Sequence, residues 1–299
     1  MTSARVKPNI LSVGRLYCDL IFTDLPRMPS LGTEVFAEGF SAHAGGGAFI
    51  TAAHLADLEC RSALAAMLPP APFKELMRPE LEGASVDLSL CRSLPPEAGP
   101  QVTVAMVHSG DRAFLTRRAG PALPEISSDM LVDTGVQHLH IGELASLVER
   151  PDLLEVAQKA QVTVSLDCSW DESLTAADIA PFLGRIDVFL PNESEHKRLS
   201  HLGLLSPMAR VTVVKRGARG ASALTSDGTI DAPTLPLEAV DTTGAGDAFN
   251  AGFLNAWLRM RPLADCLAAG NLRGGLAVNQ RGGFTHPTEP LPDRGRTHG

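Results

Sequence analysis

The sequence predicts an α/β fold in which a mostly parallel central sheet carries helices on both faces. From residue 136 onward, short apolar runs at 136–141, 162–166 and 211–214 alternate with segments of helical periodicity, which is the pattern of a parallel sheet. Near the start, Asn9–Val13 is an apolar run that ends at Gly14, as is typical of a buried strand. The 299 residues are enough for one large domain with an appendage or for two small domains.

Charge and composition exclude several classes of function. The formal net charge is −8 without a basic block, which argues against a nucleic-acid partner. Five cysteines are scattered with no Cys-x-x-Cys pair, which favours a reducing cytoplasm over a zinc site or a disulfide framework. No apolar run reaches the roughly 18–20 residues that span a bilayer. We therefore expect a cytoplasmic protein without a membrane partner, and a disordered tail at 290–299, which is rich in Pro, Gly and charge.

The strongest functional signal is the stretch Asp-Thr-Thr-Gly-Ala-Gly-Asp at residues 241–247, which opens onto a helical segment at 248–254. Backbone N–H groups at such a helix start can bind an anion, usually a phosphate. Asp247 beside this anion site is the arrangement that phosphoryl transfer to a hydroxyl needs, because a carboxylate can take the proton. Taken alone, the pattern also fits a helix with an ordinary acidic first turn.

This stretch resembles the C-terminal signature of the ribokinase (PfkB) family of sugar and nucleoside kinases. The matching positions are Thr242, Thr243, Gly244, Ala245, Gly246, Asp247, Ala251 and Gly252. The resemblance implies one ribokinase-like domain over residues 1–299, a three-layer α/β/α fold whose small β-sheet lid comes from about 15–42 and 98–118. It also implies that Asp247 is the general base and that the backbone of Gly244, Ala245 and Gly246 stabilises the transferring phosphoryl group.

On the nucleotide side, Asn192 and Glu195 form an Asn-x-x-Glu pattern at a helix start. A capping box is one interpretation, and the family's magnesium motif, in which Glu195 acts through water, is the other. The resemblance further implies ATP contacts from Asn192, Lys215, Gly217, Gly220, Asn271, Gly274 and Asn279. An acidic Asp167 follows another strand, where relatives carry an Asp near the phosphates. A monovalent cation, potassium by its oxygen ligands, is implied at Asp241, Thr243 and Gly282.

On the acceptor side, the resemblance implies substrate contacts from Asp19, Gly45, Gly46, Ile50, His108 and Arg118. Two departures from the family concern this side. Ile50 stands where the family has a sugar-binding Asn, and a Pro-rich stretch at 68–72 replaces the usual Gly-x-Asp-x-x-Gly. Since Ile has no hydrogen-bonding group, a hydroxyl held by that Asn would need another partner. Arg117 and Arg118 are interpreted either as a solvated loop or as the partner of an anionic substrate group.

Three further expectations concern local structure. The segments 101–107 and 112–116 flank a Gly-containing turn and predict a β-hairpin. Pro79 argues against a long helix over 73–83. His138 and His140 share one face of a strand, and a metal site there lacks a third ligand nearby.

The sequence thus favours an ATP-dependent kinase that acts on a small sugar, sugar acid or polyol. Two alternatives stay open. A nucleoside kinase fits the more apolar pocket that Ile50 creates, and a catalytically silent binding protein fits the two departures. Neither a Walker motif nor a Gly-x-Gly-x-x-Gly after the first strand is present. Because lid strands expose edges that relatives often cover by dimerising, we expect a homodimer.

Overall fold

The computed structural model describes residues 7–109, 111–169, 171–234, 242–278 and 283–284. In chain order its strands are β1 (Asn9–Val13), β2 (Tyr17–Thr23), β3 (Gly39–Gly45), β4 (Arg61–Ala65), β5 (Met67–Leu68), β6 (Arg92–Ser93), β7 (Val102–His108), β8 (Asp111–Arg117), β9 (His138–Ile141), β10 (Thr163–Asp167), β11 (Val188–Leu190), β12 (Val211–Lys215), β13 (Ala221–Thr225) and β14 (Gly228–Ala232).

The helices connect these strands and pack around the sheet. They are α1 (Gly47–Asp57), α2 (Phe73–Gly83), α3 (Ser128–Asp133), α4 (Leu144–Glu149), α5 (Leu153–Lys159), α6 (Ala176–Leu183), α7 (Glu193–His201), α8 (Ala245–Leu258) and α9 (Leu263–Ala277). Among the residues described, no helix is both long and apolar enough to cross a membrane.

The larger sheet has the strand order β14-β13-β12-β11-β10-β9-β1-β4 as far as the structure describes it. Pairing is parallel from β4 through β12 and antiparallel at β13 and β14. Parallel strands with right-handed helical connections need both faces covered. The fold class expected from the strand–helix alternation is confirmed.

Hydrophobic clusters fill both faces of the sheet. On one face, side chains of α3 to α7 such as Leu131 and Ile179 pack with Leu139 of β9. On the other face, Phe253 of α8 and Leu267 of α9 pack against β11 to β13. The strands are therefore buried on both sides, which explains why they appear as apolar runs in the sequence.

A smaller sheet with the order β3-β2-β7-β8 stands apart from the large one. The predicted hairpin is confirmed, because β7 and β8 pair antiparallel from Val102↔Arg117 to His108↔Asp111. This small sheet, called the lid below, places Asp19 of β2 beside Thr103 of β7. One face of the lid is thereby directed at the carboxyl ends of the central strands.

The expectation that Pro79 prevents a helix over 73–83 is wrong, because α2 spans Phe73–Gly83 with Pro79 inside it. An internal proline removes one helical hydrogen bond and costs about 3 kcal/mol. Burial of Met77 and Leu81 on one side of α2 offsets that cost. In addition, Glu80 accepts a 2.7 Å hydrogen bond from the Ala44 N–H of the lid.

His138 and His140 lie in the core and bind hydroxyl groups. His138 Nδ1 is 2.8 Å from Thr163 Oγ1, and both rings contact the Ser165 hydroxyl. Burial lowers the pKa of each histidine to about 3, so both are neutral at pH 7. Their neighbours are hydroxyl groups of β10, and this pair is part of the core of the sheet.

Candidate active site

A cavity of about 820 Å³ lies between the lid and the carboxyl ends of the central strands. Three groups of described residues line it: the lid with Asp19, Thr103, Arg112 and Phe114; the strand ends with Glu143, Asp167, Asn192 and Lys215; and the starts of α1 and α8 with Gly46, Gly47 and residues 242–247. Ligands of open α/β sheets bind at this edge of the strands. The geometry therefore brings together residues that are far apart in the sequence.

The start of α8 is shaped to receive an anion. Gly244 caps the helix with φ 70° and ψ 0°, and no side chain caps the first amides. An added Cβ on Gly244 would lie 2.6 Å from the Gly283 backbone. The left-handed conformation and the close approach both require glycine. The Ala245 N–H donates to the Thr242 carbonyl at 3.3 Å, and the next N–H groups of this 14-residue helix have no side-chain cap, which suits them to receive a phosphate.

Asp247 lies in the first turn of α8 and lines the cavity. Burial raises the pKa of Asp247 to about 7, the nearby Asp167 carboxylate adds to this, and Lys215 opposes it. A Cβ on Gly47 would lie 2.8 Å from Asp247 Oδ1, so this carboxylate contacts the start of α1. A carboxyl group that titrates near neutral pH is suited to general-base chemistry.

Beside Asp247, three side chains form a buried polar network. Lys215 Nζ donates to both Asp167 oxygens at 3.0 Å and to Asn250 Oδ1 at 3.2 Å. Asn250 Nδ2 in turn donates to Asp167 Oδ2 at 2.6 Å. Burial is the largest influence and disfavours the charge on Lys215, but the carboxylates of Asp167, Glu195 and Asp247 together outweigh it and raise the pKa of Lys215. A Cβ on Gly246 would lie 3.4 Å from Lys215 Nζ, so the lysine stays charged next to the start of α8.

Asn192 and Glu195 form a capping box at the start of α7. The Asn192 N–H donates to Glu195 Oε2 at 2.7 Å, and the Glu195 N–H donates to Asn192 Oδ1 at 2.9 Å. Both residues also line the cavity. The capping interpretation describes the observed contacts, and the magnesium role of Glu195 stays a prediction.

The remaining nucleotide-side predictions divide into two groups. Gly217, Gly220, Asn271 and Gly274 line the cavity, and Asn271 Nδ2 donates to the Ala232 carbonyl at 3.0 Å. Asn279, and with it Asp241 and Gly282 of the predicted cation site, lie outside the described residues, as does the tail at 290–299.

On the acceptor side, Asp19 of β2 lies opposite His43 of β3. Burial raises the pKa of Asp19 to about 7, although the hydrogen bond from Thr103 opposes the shift. A Cβ on Gly45 would collide with the Asp19 carboxylate, so glycine is needed for this carboxylate to take its position. Ile50, on α1, lines the cavity with an apolar side chain.

The structure places three predicted substrate residues, Gly45, His108 and Arg118, outside the residues that line the cavity. His108 lies at the end of β7, where its Nδ1 contacts the Leu25 carbonyl at 2.8 Å. Arg118 pairs with Asp171 and hydrogen-bonds Tyr17. His108 ends β7 and Arg118 follows the end of β8; the hairpin pattern does not give their orientation, and their substrate role stays a prediction.

Among the functional groups at or beside the cavity that the sequence analysis did not select are those of Arg112, Thr103, Glu143 and Asn250. Arg112 and Thr103 come from the lid strands, Glu143 follows β9, and Asn250 lies three residues after Asp247 on α8. For two of these residues the sequence contains a signal that predicts their place in the site. Glu143 occupies the end of a parallel strand as Asp167 does, and a spacing of three residues places Asn250 on the same helix face as Asp247.

Comparisons with known proteins show the family of the chain. The family model of the pfkB carbohydrate kinases matches residues 7–289, and the chain belongs to this family. It is 30% identical over 293 residues to an ATP-dependent ribose-1-phosphate kinase of Halopiger xanaduensis, covering 94% of this chain and 95% of that protein. It is 28% identical over 271 residues to a fructokinase of Rhizobium leguminosarum bv. trifolii, covering 82% and 78%.

Solved structures show the same fold. Arabidopsis thaliana ribokinase complexed with ribose and ATP superposes with a TM-score of 0.79 at 24% identity, over 93% of this chain and 94% of that one. Methanocaldococcus jannaschii nucleoside kinase gives a TM-score of 0.78 at 20% identity, again over 93% and 94%. The ribokinase-like fold expected from the sequence is confirmed.

Proposed function

We propose that the protein is an ATP-dependent kinase that transfers the γ-phosphoryl group to a hydroxyl of a small sugar, sugar acid or polyol, with Asp247 as general base. One observation carries this proposal: a carboxyl group with a pKa near 7 lies in the first turn of a helix whose amides lack a side-chain cap. The names of the relatives, a ribose-1-phosphate kinase and a fructokinase, support a sugar hydroxyl as acceptor.

In this mechanism Asp247 accepts the proton of the attacking hydroxyl. The backbone N–H groups of Gly244, Ala245 and Gly246 stabilise the charge on the transferring phosphoryl group, which is the main catalytic demand of this reaction. Lys215 adds positive charge beside Gly246. Asp167 and Asn250 hold Lys215 in place.

Magnesium is the cofactor that this reaction requires, and the donor set fits it. Asp167 and Glu195 present carboxylates at the cavity, and each already has a protein partner, in Lys215 and the Asn192 N–H respectively. Such a set suits Mg²⁺ that keeps most of its water ligands. The ion, when bound, neutralises phosphate charge. For potassium, Thr243 is the one predicted site residue within the described segments, and a K⁺ requirement is part of the proposal.

A homodimer through the lid is also proposed. The outer strands of the lid are β3 and β8, and edge strands invite pairing. Phe40 on β3 and Leu115 on β8 are 61% and 68% exposed. Apolar side chains on these two outer strands support an interface between two copies.

A nucleoside kinase is the second candidate. Ile50 and Phe114 give the cavity an apolar wall, which a nucleobase could contact. A nucleoside kinase of Methanothermobacter thermautotrophicus is 31% identical over 147 residues, or 47% of this chain. Turnover of adenosine or cytidine in preference to free sugars would favour this candidate.

The experiment is ADP release with Mg²⁺, with and without K⁺, over sugars, sugar acids, polyols and nucleosides. Asp247→Asn should abolish turnover and keep ATP binding. The control is Asp129→Asn, because Asp129 is also an acid in the first turn of a helix but is exposed on α3. Full activity in Asp247→Asn would refute the base assignment. ATP binding without turnover of any acceptor would favour the silent binding protein.

A further inference from the structure

His54 lies one turn after Ile50 on α1 and joins segments that are distant in the sequence. His54 is 3% exposed, and its Nε2 is 3.1 Å from the carbonyl oxygen of Gly283. On the other side of the ring, Arg273 of α9 donates to Nδ1 from Nε at 3.0 Å and from Nη2 at 2.8 Å. Arg273 Nη2 also donates to Asp57 Oδ2 at 2.5 Å. His54 therefore links α1 and α9 to the backbone of Gly283.

The contacts of the His54 ring determine which of its nitrogens carries the proton. A guanidinium only donates hydrogen bonds, so Nδ1 accepts from Arg273. In a neutral imidazole the proton is then on Nε2, which donates to the Gly283 carbonyl. Burial lowers the pKa of His54 to about 4, and the charge of Arg273 adds to this effect. The ring is thus neutral at pH 7, with its one donor directed at Gly283.

The Gly283 carbonyl that receives this hydrogen bond lies against the turn that begins α8. A Cβ on Gly244 would lie 2.7 Å from the Gly283 oxygen and 2.6 Å from its Cα. A Cβ on Gly283 would collide with the side chain of Ile50. The backbone of Gly283 is thus packed between the cap of α8 and the side chain of Ile50. A shift of Gly283 would therefore be transmitted to the cap.

Two further contacts fix the position of the His54 ring and its partner. Phe284 meets the ring edge-on, with the ring centroids 5.1 Å apart and the planes at 83°. A Cβ on Gly252 of α8 would lie 2.9 Å from the Cβ of Arg273, so the base of the arginine packs closely against that helix. The hydrogen-bonded chain from Arg273 through His54 to Gly283 is therefore anchored by α1, α8 and α9.

We propose that His54 is a positioning residue for phosphoryl transfer, because its hydrogen bond to the Gly283 carbonyl keeps the turn at Gly244 in the conformation that presents the amides at the start of α8. Arg273 contributes by fixing the tautomer that makes this bond. Neither side chain is among the described residues that line the cavity, so both act through Gly283. The inference rests on the proposed kinase function for what the turn receives, whereas the order of the turn can be tested without it.

The turn needs such support for a physical reason. Backbone donors stabilise a developing charge best when they are already in place and need no reorganisation during the reaction. Gly244 has φ 70°, and an isolated glycine populates many other conformations as readily. Contact with the backbone of Gly283 restricts that freedom. Burying a histidine and a guanidinium is unfavourable unless both are hydrogen-bonded, and here their hydrogen bonds end at this turn.

The test compares His54→Leu with His54→Gln by ADP release, at a temperature well below the Tm of each variant. Leucine removes both ring contacts, and kcat should fall about 10-fold, as for the loss of one buried hydrogen bond. The KM values for ATP and acceptor should change less than about twofold, because the turn contributes mainly in the transition state. Glutamine keeps an N–H donor and should restore most of kcat. Arg273→Met should lower kcat by a smaller factor, and it carries the test if His54→Leu does not fold.

The matched control is His138→Leu. His138 is also a buried, neutral histidine, and this change removes its contacts with Thr163 and Ser165 at the start of β9, away from the cavity. It should lower Tm and leave kcat unchanged. A His54→Leu protein with the kcat of the wild-type protein would overturn the inference. An equal fall of kcat in His54→Leu and His138→Leu would also overturn it, since the loss of stability alone would then explain both.

Amide hydrogen exchange, measured by NMR on the protein without ligands, tests the positioning apart from turnover. The Ala245 N–H donates to the Thr242 carbonyl at 3.3 Å, and the Ala248 N–H donates to the Gly244 carbonyl at 2.8 Å. In His54→Leu these two amides should exchange about 10-fold faster relative to the amides at the centre of α8, which a global loss of stability would affect equally. An unchanged ratio overturns the inference. A raised ratio in a protein that releases no ADP with any acceptor supports the positioning and refutes the kinase proposal alone.

Discussion

The raised pKa of Asp247 predicts that Asp247→Asn stabilises the protein at high pH while it abolishes catalysis. In the folded chain this carboxyl group has a pKa of about 7, against an ordinary value of 3.8. Between these values the folded state holds a proton that the unfolded state has released. Stability contributed by this group therefore falls as pH rises from 3.8 to 7. Asparagine cannot ionise, so the variant escapes this loss.

The size of the effect follows from the pKa difference. Each pH unit over which the folded and unfolded states differ by one proton changes stability by about 1.4 kcal/mol. Between pH 5 and pH 8 about two such units apply, which gives about 3 kcal/mol. The carboxylate is only half-buried, and the positive end of α8 favours its charge by about 0.3–1 kcal/mol. We therefore expect Asp247→Asn to gain about 1–3 kcal/mol over the wild-type protein on going from pH 5 to pH 8.

Urea denaturation at the two pH values measures this gain, because groups shared by both proteins cancel in the comparison. With about 2.1 cal/mol/K of unfolding entropy per residue, the same gain shifts the difference in Tm by about 2–5 °C. Asp129→Asn, in an exposed helix first turn, should show no such pH dependence. A stability difference for Asp247→Asn that is constant, or that grows toward low pH, would refute the burial argument.

Three other substitutions test particular contacts of the site. Gly244→Ala should cost about 1–3 kcal/mol of stability and most activity, because φ is 70° there and a Cβ would approach opposing backbone to 2.6 Å; an unchanged Tm would contradict this. Lys215→Met leaves Asp167 buried without its 3.0 Å partner. The free energy of unfolding, measured by urea denaturation at pH 7, should fall by about 3–5 kcal/mol. An unchanged free energy would show that water replaces the ammonium. Glu80→Gln weakens a 2.6 Å contact with His43 on β3 and should raise the acceptor KM about 2- to 10-fold with little change in kcat; a fall in kcat alone would argue against a lid role.

The sequence by itself determined the fold class and the centre of the site. Strand–helix alternation is a local pattern, and buried parallel strands have to be apolar on both faces, so their sequence shows them directly. The turn before α8 was equally visible, because Gly244 takes a conformation that strongly favours glycine. Because this Gly-rich turn marks the start of a helix, the residue pattern alone was enough to place Asp247 in the first helical turn.

Other parts of the site depended on contacts between distant segments. The hairpin β7–β8 was predicted, but only the tertiary structure decided that Arg112 and not Arg118 lines the cavity, since Arg118 is held by Asp171. Arg118 lies just beyond the end of β8 at Arg117, and a hairpin pattern does not say which residues along or beyond a strand reach the ligand.

Contacts between distant segments also explain helix α2 and the buried polar network. Pro79 carries a local penalty against α2, and the buried side chains of Met77 and Leu81 offset it through contacts that no local pattern contains. Asn250 and Asp167 are 83 residues apart in the chain and 2.6 Å apart in the fold. Local propensities fix elements and turns, whereas packing between distant segments decides which side chains meet, and the chemistry of this site depends on both.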